Sequence, residues 1–320
     1  MTGRAAGRQD AAAVGDAAAA AREAAATAGE APITVDAGTA DVLHRLALAV
    51  RPLDARTRAP AGPGLRVGCE HDPVPGRRPR PGDLLRPLEG HGATGFVLRY
   101  GTSGGLPHTV TVRVDDPARR WIPRRFRIPL WTRPELAAAD ARPPSAPYVR
   151  ADARLLLPWL LPGPAHPVPV GTTGIRLRVT TAAGTPVRWP RVDAFGPGGV
   201  PLGWAHGDEH GQVLLLIDAV GVLPSPPPSR FDIALRTHAP DPPADPSAGG
   251  PAGAPADPLA GLVAEPVVRS TSPPRPQDLD NAVLRGTARP AGYRTGAADT
   301  VRTLTVGQVV HAADLPHIPA

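Results

Sequence analysis

The density of proline and glycine is the feature that most constrains how this chain can fold. The chain has 44 Pro and 35 Gly among its 320 residues, a level typical of irregular sequence around small folded cores. Hydrophobic residues make up 42%, but only 4% of the residues are aromatic and alanine supplies much of the apolar fraction. The composition therefore predicts small cores rather than one large α/β enzyme core.

Short segments with alternating apolar residues lie between the prolines and glycines. In residues 42–53, Leu46, Leu48 and Val50 share one face, and residues 174–181 alternate in the same way. Alternation over 4–8 residues, bounded by turn formers, is typical of half-buried strands. Further strand candidates are 95–100, 109–114, 126–130, 155–161, 190–196, 211–218 and 230–237. The pattern predicts an all-β protein with two small β-sandwiches.

Shifts in composition along the chain predict five segments. These are an Ala-rich disordered or weakly helical start (1–32), a first sandwich (33–140), a second sandwich (150–237), a Pro-rich linker of Pro, Ala and Gly (238–279) and a β-containing tail (280–320). The tail has one good strand candidate at 300–310 and is too short to bury a core alone. We expect the tail to return to a sandwich or to dock on a partner.

The two strand-rich blocks resemble each other. Each has an alternating strand, a polar turn and a second strand, and then a His-Gly pair that leads through a short turn to a glycine and a V-L strand. The turn is "HGATG" at 91–95 in the first block and "HGDEHG" at 206–211 in the second. Self-similarity of this kind predicts a duplicated sandwich unit.

The second block resembles the carboxypeptidase-regulatory-like, transthyretin-like sandwich domains. The matching pieces are "GIRLRV" (174–179), "GTPVRWPRV" (184–192) and "DEHGQVLLLI" (208–217), whereas Trp189 and Pro190 depart from the small residues usual there. The resemblance implies transthyretin-like or immunoglobulin-like sandwiches that act as non-catalytic stabilising or docking modules.

A second resemblance concerns the region between the blocks. Residues 119–130, "RRWIPRRFRIPL", followed by residues 155–179, look similar to accessory sandwich proteins of phage-tail-like contractile injection systems. This resemblance implies a structural part of a multi-subunit particle.

The segment "HGDEHG" has the strongest concentration of candidate metal-binding or acid–base side chains in the chain. Its polar side chains are His206, Asp208, Glu209 and His210. Two histidines four apart converge on a helix but not on an extended hairpin, and the flanking Gly207 and Gly211 disfavour a helix. The equivalent "HGATG" keeps His91 but has no acid. The pattern favours a hairpin turn, with a metal site and a catalytic cluster as the alternatives.

The segment "CEHDP" at 69–73 is the next chemical candidate. Cys69, His71 and Asp72 could supply a thiol nucleophile or part of a zinc site, but Cys69 is the only cysteine in the chain, so a loop cysteine is the favoured interpretation. The glycine-rich "GTSGG" at 101–105 lacks the lysine of a phosphate loop. The sequence therefore predicts no catalytic, cofactor-binding or metal-binding residue and no cofactor.

The five tryptophans carry most of the large aromatic surface. They are Trp121, Trp131, Trp159, Trp189 and Trp204. Core or strand-edge packing is the favoured role for each. Partial exposure of Trp189 or Trp204 would instead mark a docking surface.

Charge and cysteine content limit the partners. All 35 basic residues are arginine and the formal net charge is +6, but the arginines are scattered and lack interleaved aromatics or a groove-reading helix, so no nucleic-acid partner is predicted. No segment reads as a signal peptide or a membrane span, and a single cysteine fits a reducing compartment. The expected location is cytoplasmic, without membrane association.

The predicted function is a non-enzymatic one. We expect a structural or adaptor protein that docks on other protein subunits of an assembly, which leaves a homo-oligomer open. A carbohydrate- or cell-surface-binding sandwich module is the alternative, and a metal-dependent hydrolase ranks third.

Overall fold

The computed structural model describes nine parts of the chain. These are residues 45–70, 85–92, 95–100, 106–140, 154–217, 228–241, 259, 261–268 and 281–320. Strands dominate these residues and form several sheets, so the prediction of an all-β protein is confirmed. The prediction for the Ala-rich start (1–32) lies outside the described residues.

The described residues before residue 162 form ten strands and one helix. They are β1 (Leu46–Val50), β2 (Leu53–Asp54), β3 (Arg66–Glu70), β4 (Leu85–Pro87), β5 (Glu89–His91), β6 (Gly95–Arg99), β7 (Thr109–Asp115), β8 (Arg124–Pro129), α1 (Arg133–Asp140), β9 (Leu155–Leu156) and β10 (Trp159–Leu160). One sheet has the order β5-β6-β1-β9, and a second contains the antiparallel order β8-β7-β3-β4.

The core of this first sandwich follows the alternation of the sequence. Val110, Val112 and Val114 of β7 are buried and pack in one cluster with Phe126 and Ile128 of β8. Leu48 and Val50 of β1 join the same cluster from the other sheet. Two apolar faces thus bury each other, which is the arrangement that period-2 patterns favour.

The remaining strands and the second helix complete the described chain. They are β11 (Thr173–Thr181), β12 (Arg191–Phe195), β13 (Pro201–His206), β14 (Gln212–Ile217), β15 (Arg230–Pro240), β16 (Ala264–Pro266), α2 (Ala282–Arg285), β17 (Tyr293–Thr295), β18 (Thr300–Thr305), β19 (Val309–His311) and β20 (Leu315–His317). All of these strands except β16 belong to the second sandwich.

Two sheets form the second sandwich. One contains β14-β11 with β19 and β20 beside β11, and the other has the order β13-β12-β15 with β17 and β18 beside β15. Ile175, Leu177 and Val179 of β11 face the core, as their alternation predicts, and Ile233 and Leu235 of β15 meet them there.

The predicted tail is part of this sandwich. Strand β18 pairs with β15 from Arg230 to Leu235, and β20 runs parallel to β11. Leu304 and Leu315 from the tail are fully buried in the second core. The tail therefore returns to a sandwich, which is one of its two expected fates.

The predicted linker over 238–279 needs correction at two of its described parts. Strand β15 extends to Pro240, and residues 264–266 form β16, which pairs in parallel with β8 of the first sandwich. Val267 then enters the first core. This part of the chain packs because apolar residues interrupt its Pro/Ala/Gly composition, and their burial offsets the entropy lost on ordering.

The two sandwiches share one strand order. The row β4-β3-β7-β8 of the first sandwich has the counterpart β13-β12-β15-β18 in the second, with antiparallel pairing at every step. In the facing sheets, β1 pairs antiparallel with β6 as β11 pairs with β14. A short parallel strand lies on the other side in each case, pairing Val50 with Leu156 and Val179 with Leu315.

Two glycines support the same correspondence. Gly95 and Gly211 follow the two His-Gly turns and have φ of 84° and 73°. A Cβ on Gly95 would lie 2.9 Å from the Val50 carbonyl oxygen, and one on Gly211 would lie 2.5 Å from that of Val179. Only glycine combines a positive φ with so close an approach to a neighbouring strand. The predicted duplication therefore has a structural counterpart at the turn that revealed it.

The two units differ most in the chain between the counterparts β7–β8 and β15–β18. In the first sandwich a short loop over 116–123 makes this connection, whereas residues 241–299 make it in the second. That longer connection carries β16 and α2, so part of the second unit is built into the first.

Candidate functional site

The segment "HGDEHG" forms the hairpin turn between β13 and β14. The Asp208 carboxylate accepts hydrogen bonds from the backbone N–H groups of His210 and Gln212, both at 2.9 Å. The Gly211 N–H donates to the Asp208 carbonyl at 3.0 Å. An aspartate that bonds to its own following backbone is a typical turn former.

The same aspartate also contacts the first sandwich. Asp208 is buried, and its second carboxylate oxygen accepts a hydrogen bond from the guanidinium of Arg119 in the loop between β7 and β8. That guanidinium also donates to the Gln212 side chain at 3.2 Å. The turn therefore connects the two sandwiches.

The two histidines of the segment do not converge. His206 is buried with its Nε2 3.5 Å from Nη1 of Arg191, whereas His210 is exposed and lies 3.4 Å from Glu209. Burial, together with the nearby guanidinium groups of Arg191 and Arg124, holds the pKa of His206 well below its ordinary value. A neutral imidazole is the form that suits a buried site beside cations.

Arg191 carries the second connection between the sandwiches. Its guanidinium is buried in β12 and donates to the carbonyl oxygens of Gly286 and Ala288, both at 2.9 Å, and of Thr287 at 3.0 Å. These carbonyls follow the C-terminus of α2, where unpaired acceptors and the helix dipole favour a cation. Asp193 balances the charge through Oδ1, 2.7 Å from Nε of Arg191.

Arg124 of β8 reaches the same helix end from the first sandwich. It donates to the carbonyl of Leu284 at 2.7 Å and to that of Trp159 at 2.9 Å. It also forms an ion pair with Glu265 of β16 at 2.6 Å, in which both side chains are less than 9% exposed. Helix α2 is thus held between one arginine from each sandwich, and we call this arrangement the arginine joint (Arg124, Arg191, Glu265 and the carbonyls of 283–288).

A polar chain extends from the joint across the outer face of the second sandwich. His238 of β15 donates from Nε2 to Asp193 at 3.0 Å, and its Nδ1 lies 3.1 Å from the Thr295 hydroxyl of β17. Burial acts to raise the pKa of Asp193, but the hydrogen bond from His238 and the charge of Arg191 leave it below its ordinary value. These hydrogen bonds connect three neighbouring strands, β12, β15 and β17.

Four of the tryptophans are buried. Trp121, Trp131, Trp159 and Trp189 are at most 9% exposed. Trp189 packs against Leu259 and Leu262, and its carbonyl accepts the Tyr293 hydroxyl at 2.8 Å. Burial of these four agrees with the predicted core or strand-edge packing, and Trp189 is not partly exposed as a docking residue would be. Trp204 is partly exposed on the outer face of β13, opposite Asp193.

The cysteine candidate is a core residue. Cys69 lies in β3, and burial raises the pKa of its thiol to about 11, which keeps it protonated and a poor nucleophile at neutral pH. His71, Asp72 and the glycine-rich 101–105 lie outside the described residues. Within the described ranges, no group of three or more His, Cys, Asp or Glu side chains is placed to hold a metal ion.

The sequence did not single out the residues of the arginine joint. A signal was present in each case: Arg124 shares its strand face with Phe126 and Ile128, and Glu265 is the lone acid in "LAGLVAEPVV". A charged residue at a core-facing position must find a partner. Which partner it finds depends on a chain segment more than a hundred residues away.

Comparison with known proteins does not identify a family for this chain. No family model matches the chain, and no curated protein or solved structure matches it. None of the helices in the described parts of the chain is long and apolar enough to span a membrane.

Proposed function

We propose that this protein is a non-catalytic structural adaptor that docks within a multi-subunit assembly. The resemblance of residues 119–130 and 155–179 points to a phage-tail-like contractile injection particle as that assembly. The resemblance of the second block to carboxypeptidase-regulatory-like domains belongs to the same proposal.

The observation that carries the proposal is the arginine joint. Arg124 of the first sandwich and Arg191 of the second both bind carbonyls of one short chain segment, residues 283–288, and Arg119 binds Asp208 in a separate contact. Buried, hydrogen-bonded ion pairs resist separation, because a charge left without its partner is costly. Two sandwiches connected in this way hold their outer surfaces in a constant relation, which is what an adaptor between subunits requires.

The placement of the chemical candidates supports the same interpretation. Asp208 stabilises a turn and a contact between the sandwiches, His206 is buried beside a cation, and Cys69 is a core thiol. Each of these side chains has a structural partner or a packing role.

Purification of the tagged full chain from its native cells tests the proposal. We expect tube, sheath or baseplate subunits to co-purify in fixed stoichiometry, and electron microscopy to place the tag at one position on a contractile particle. Recovery of the protein only as a free monomer, from cells that assemble such particles, would overturn the proposal.

A second candidate function is favoured by the outer face of the second sandwich. Trp204 and Phe195 are partly exposed there, next to Asp193, and the Arg236 guanidinium lies 4.7 Å from the centroid of the Phe195 ring. Aromatic surfaces beside fixed polar groups are suited to sugars, which offer apolar ring faces and hydroxyls.

Glycan-array binding tests this candidate. If the face binds a sugar, Trp204→Ala should abolish binding, whereas Val301→Ala at the exposed edge of the same sheet should leave it intact. Absence of binding to any glycan by the folded full chain would rule the candidate out.

A further inference from the structure

The counterpart strands β8 and β18 differ at their outer edges. In the first sandwich, β16 covers the edge of β8 in a parallel pairing that matches Glu265 with Phe126. No strand within the described ranges pairs with the outer edge of β18. The two units therefore share an architecture, but within the described residues the last edge of the first unit is covered by a strand from elsewhere in the chain and that of the second is not.

The correspondence holds at the level of single backbone groups. Arg127 of β8 pairs with Thr111, and its counterpart Val301 pairs with Ala234. The Arg127 carbonyl accepts a hydrogen bond from the N–H of Val267, just after β16, at 2.9 Å. Among the described residues, the Val301 carbonyl accepts a hydrogen bond from the side chain of the adjacent Arg302, at 3.1 Å. A solvent-accessible side chain thus occupies the place that a strand takes in the first sandwich.

The register shows which backbone groups of β18 face outward. The N–H of Val306 donates to the carbonyl of Ser229, and hydrogen-bonded pairs alternate along an antiparallel ladder. Residues 302 and 304 therefore bond inward to β15, whereas Val301 and Thr303 direct their N–H and C=O groups to the free edge. The Val301 side chain is 60% exposed beside these groups.

The composition of β18 leaves this edge unprotected. Proteins usually shield edges with short strands, prolines or charges. Here β4, β16 and β20 each have three residues including a proline. Strand β18 has six residues, "TVRTLT", without a proline and with a single charge at Arg302. Its Thr and Val content favours extended pairing.

We propose that the outer edge of β18 binds a short strand of a partner protein, parallel to β18 as β16 is to β8, with an acidic side chain facing Arg302. Backbone hydrogen bonds would supply the affinity, as in other cases of strand addition. The acidic residue follows from the charge of Arg302 at the open edge. The first sandwich supplies a precedent at a different position of its strand, where Glu265 of the added strand forms an ion pair with Arg124 of β8. This inference rests on the proposed adaptor function and names the surface that performs it.

A second copy of the chain fits this edge less well. An antiparallel pairing of two β18 strands that matches Val301 of one copy with Thr303 of the other would set the two Arg302 residues directly opposite each other. Like charges at opposed positions destabilise a strand pair. The charge at the edge therefore favours a foreign acidic strand.

Synthetic peptides test the charge requirement. The probes are three heptapeptides, Thr-Val-Thr-X-Val-Thr-Val, in which X is Glu, Gln or Lys, measured by fluorescence anisotropy with the full-length protein. We expect the Glu peptide to bind at least about tenfold more tightly than the Lys peptide, and Arg302→Glu to reverse that order. Equal binding of the three peptides, or no reversal, would overturn the proposal.

A backbone variant tests the edge itself. Proline at 303 removes an outward N–H and is compatible with an edge position, so Thr303→Pro should fold but lose peptide binding. Thr303→Ala keeps the N–H and is the matched control, expected to bind like the unmodified protein. Bound Glu peptide should also slow hydrogen exchange at the amides of Val301 and Thr303 by at least about tenfold.

The failures of the two proposals are distinguishable. If the native complex survives Thr303→Pro and the peptides do not bind, the edge assignment is wrong and the adaptor function stands. If the Glu peptide binds at the edge but the chain co-purifies with no particle subunit, the adaptor function fails. A dimer in sedimentation velocity that Thr303→Pro dissociates, without peptide binding, would assign the edge to a second copy and overturn the inference.

Discussion

The two sandwiches have the same strand order but are completed in different ways. The first sandwich is built from the strands β1–β10, which are near one another in sequence. It also gains β16, which comes from the connection between β15 and β18. In the second, β17 of that connection pairs with β15 while β16 leaves for the first sandwich, and no strand of the described residues covers the outer edge of β18. A duplicated unit can therefore diverge without changing its core, because insertions between strands cost less than changes inside a packed interior.

The connection between β15 and β18 contributes buried residues to both sandwiches, so the molecule is more than two tandem domains. Val267 and Leu284 come from the connection of the second unit, yet both are buried in the core of the first. Leu259 and Leu262 from the same connection pack against Trp189 of the second unit. One segment thus contributes apolar surface to both sandwiches, and their stabilities should be coupled.

The largest expected effect comes from breaking the ion pair at the arginine joint. Glu265→Leu leaves Arg124 buried without its counter-charge, which should cost about 3–5 kcal/mol of unfolding free energy. Adding Arg124→Met should recover part of that loss. Chemical denaturation measures both, with Glu89→Gln in the exposed pair with Arg99 as the control, expected to change the free energy by less than about 1 kcal/mol. A loss from Glu265→Leu no larger than the control would show that the buried ion pair does not stabilise the first unit.

The next effect tests the correspondence of the two turns. Gly95→Ala and Gly211→Ala each combine a positive φ with a clash against a strand carbonyl, so each should cost roughly 1–3 kcal/mol. Gly211 should lose more because its Cβ would lie at 2.5 Å rather than 2.9 Å from the carbonyl oxygen. Gly184→Ala lies at φ +81° with no atom within 4 Å of the new Cβ, so it measures the cost of the positive φ without a clash. Equal stabilities for all three variants in denaturant would break the correspondence.

The pH dependence should differ between the units because His206 is buried and the corresponding His91 is exposed. The folded protein resists protonation of His206, whereas the unfolded chain takes up the proton below about pH 6.5. Stability should therefore fall as pH decreases below that value, by at most about 1.4 kcal/mol per pH unit for this group. Burial also lowers the pKa of His317, so this residue too reduces the free energy of unfolding as the pH decreases.

Denaturation between pH 7 and 5 measures this dependence. His206→Gln should flatten the decline, whereas His210→Gln, at an exposed position of the same turn, should leave it unchanged. An identical decline in all three proteins would show that His206 is not the responsible group.

The smallest expected effect is at the contact between the turn and the first sandwich. Arg119→Ala should cost about 1 kcal/mol or less, because the Arg119 side chain is 44% exposed and its ion pair is partly screened. Asp208→Ala should cost more than Arg119→Ala, since it also removes two bonds to backbone N–H groups. Equal losses from the two variants would assign the whole contribution of Asp208 to the contact with Arg119.

The alternation of apolar residues made the strands predictable, because period-2 patterns follow from the geometry of a single strand. Val110, Val112 and Val114 are buried as their spacing indicates, and Ile175, Leu177 and Val179 form the counterpart. The turn at "HGDEHG" was also predictable, since Asp208 and Gly211 act through bonds to neighbouring backbone. Each of these predictions needed only local geometry.

The path of the chain between the sandwiches was not predictable in this way. The composition of 238–279 indicated a linker, and no local signal indicates that Glu265 finds Arg124 or that Arg191 caps a helix beyond residue 280. Partners so far apart along the chain are chosen by how the two cores pack, and loop closure adds little preference of its own at such lengths.

The sequence alone determined the all-β class and the position of the turn at "HGDEHG", and it predicted the likeness of the two units, because those depend on spacing and turn chemistry. Only the tertiary structure decided that the tail completes the second unit, that β16 joins the first, and that no strand of the described residues covers the outer edge of β18. Those outcomes depend on which strand edge each distant segment covers, and backbone groups at an edge can pair with any strand that reaches them.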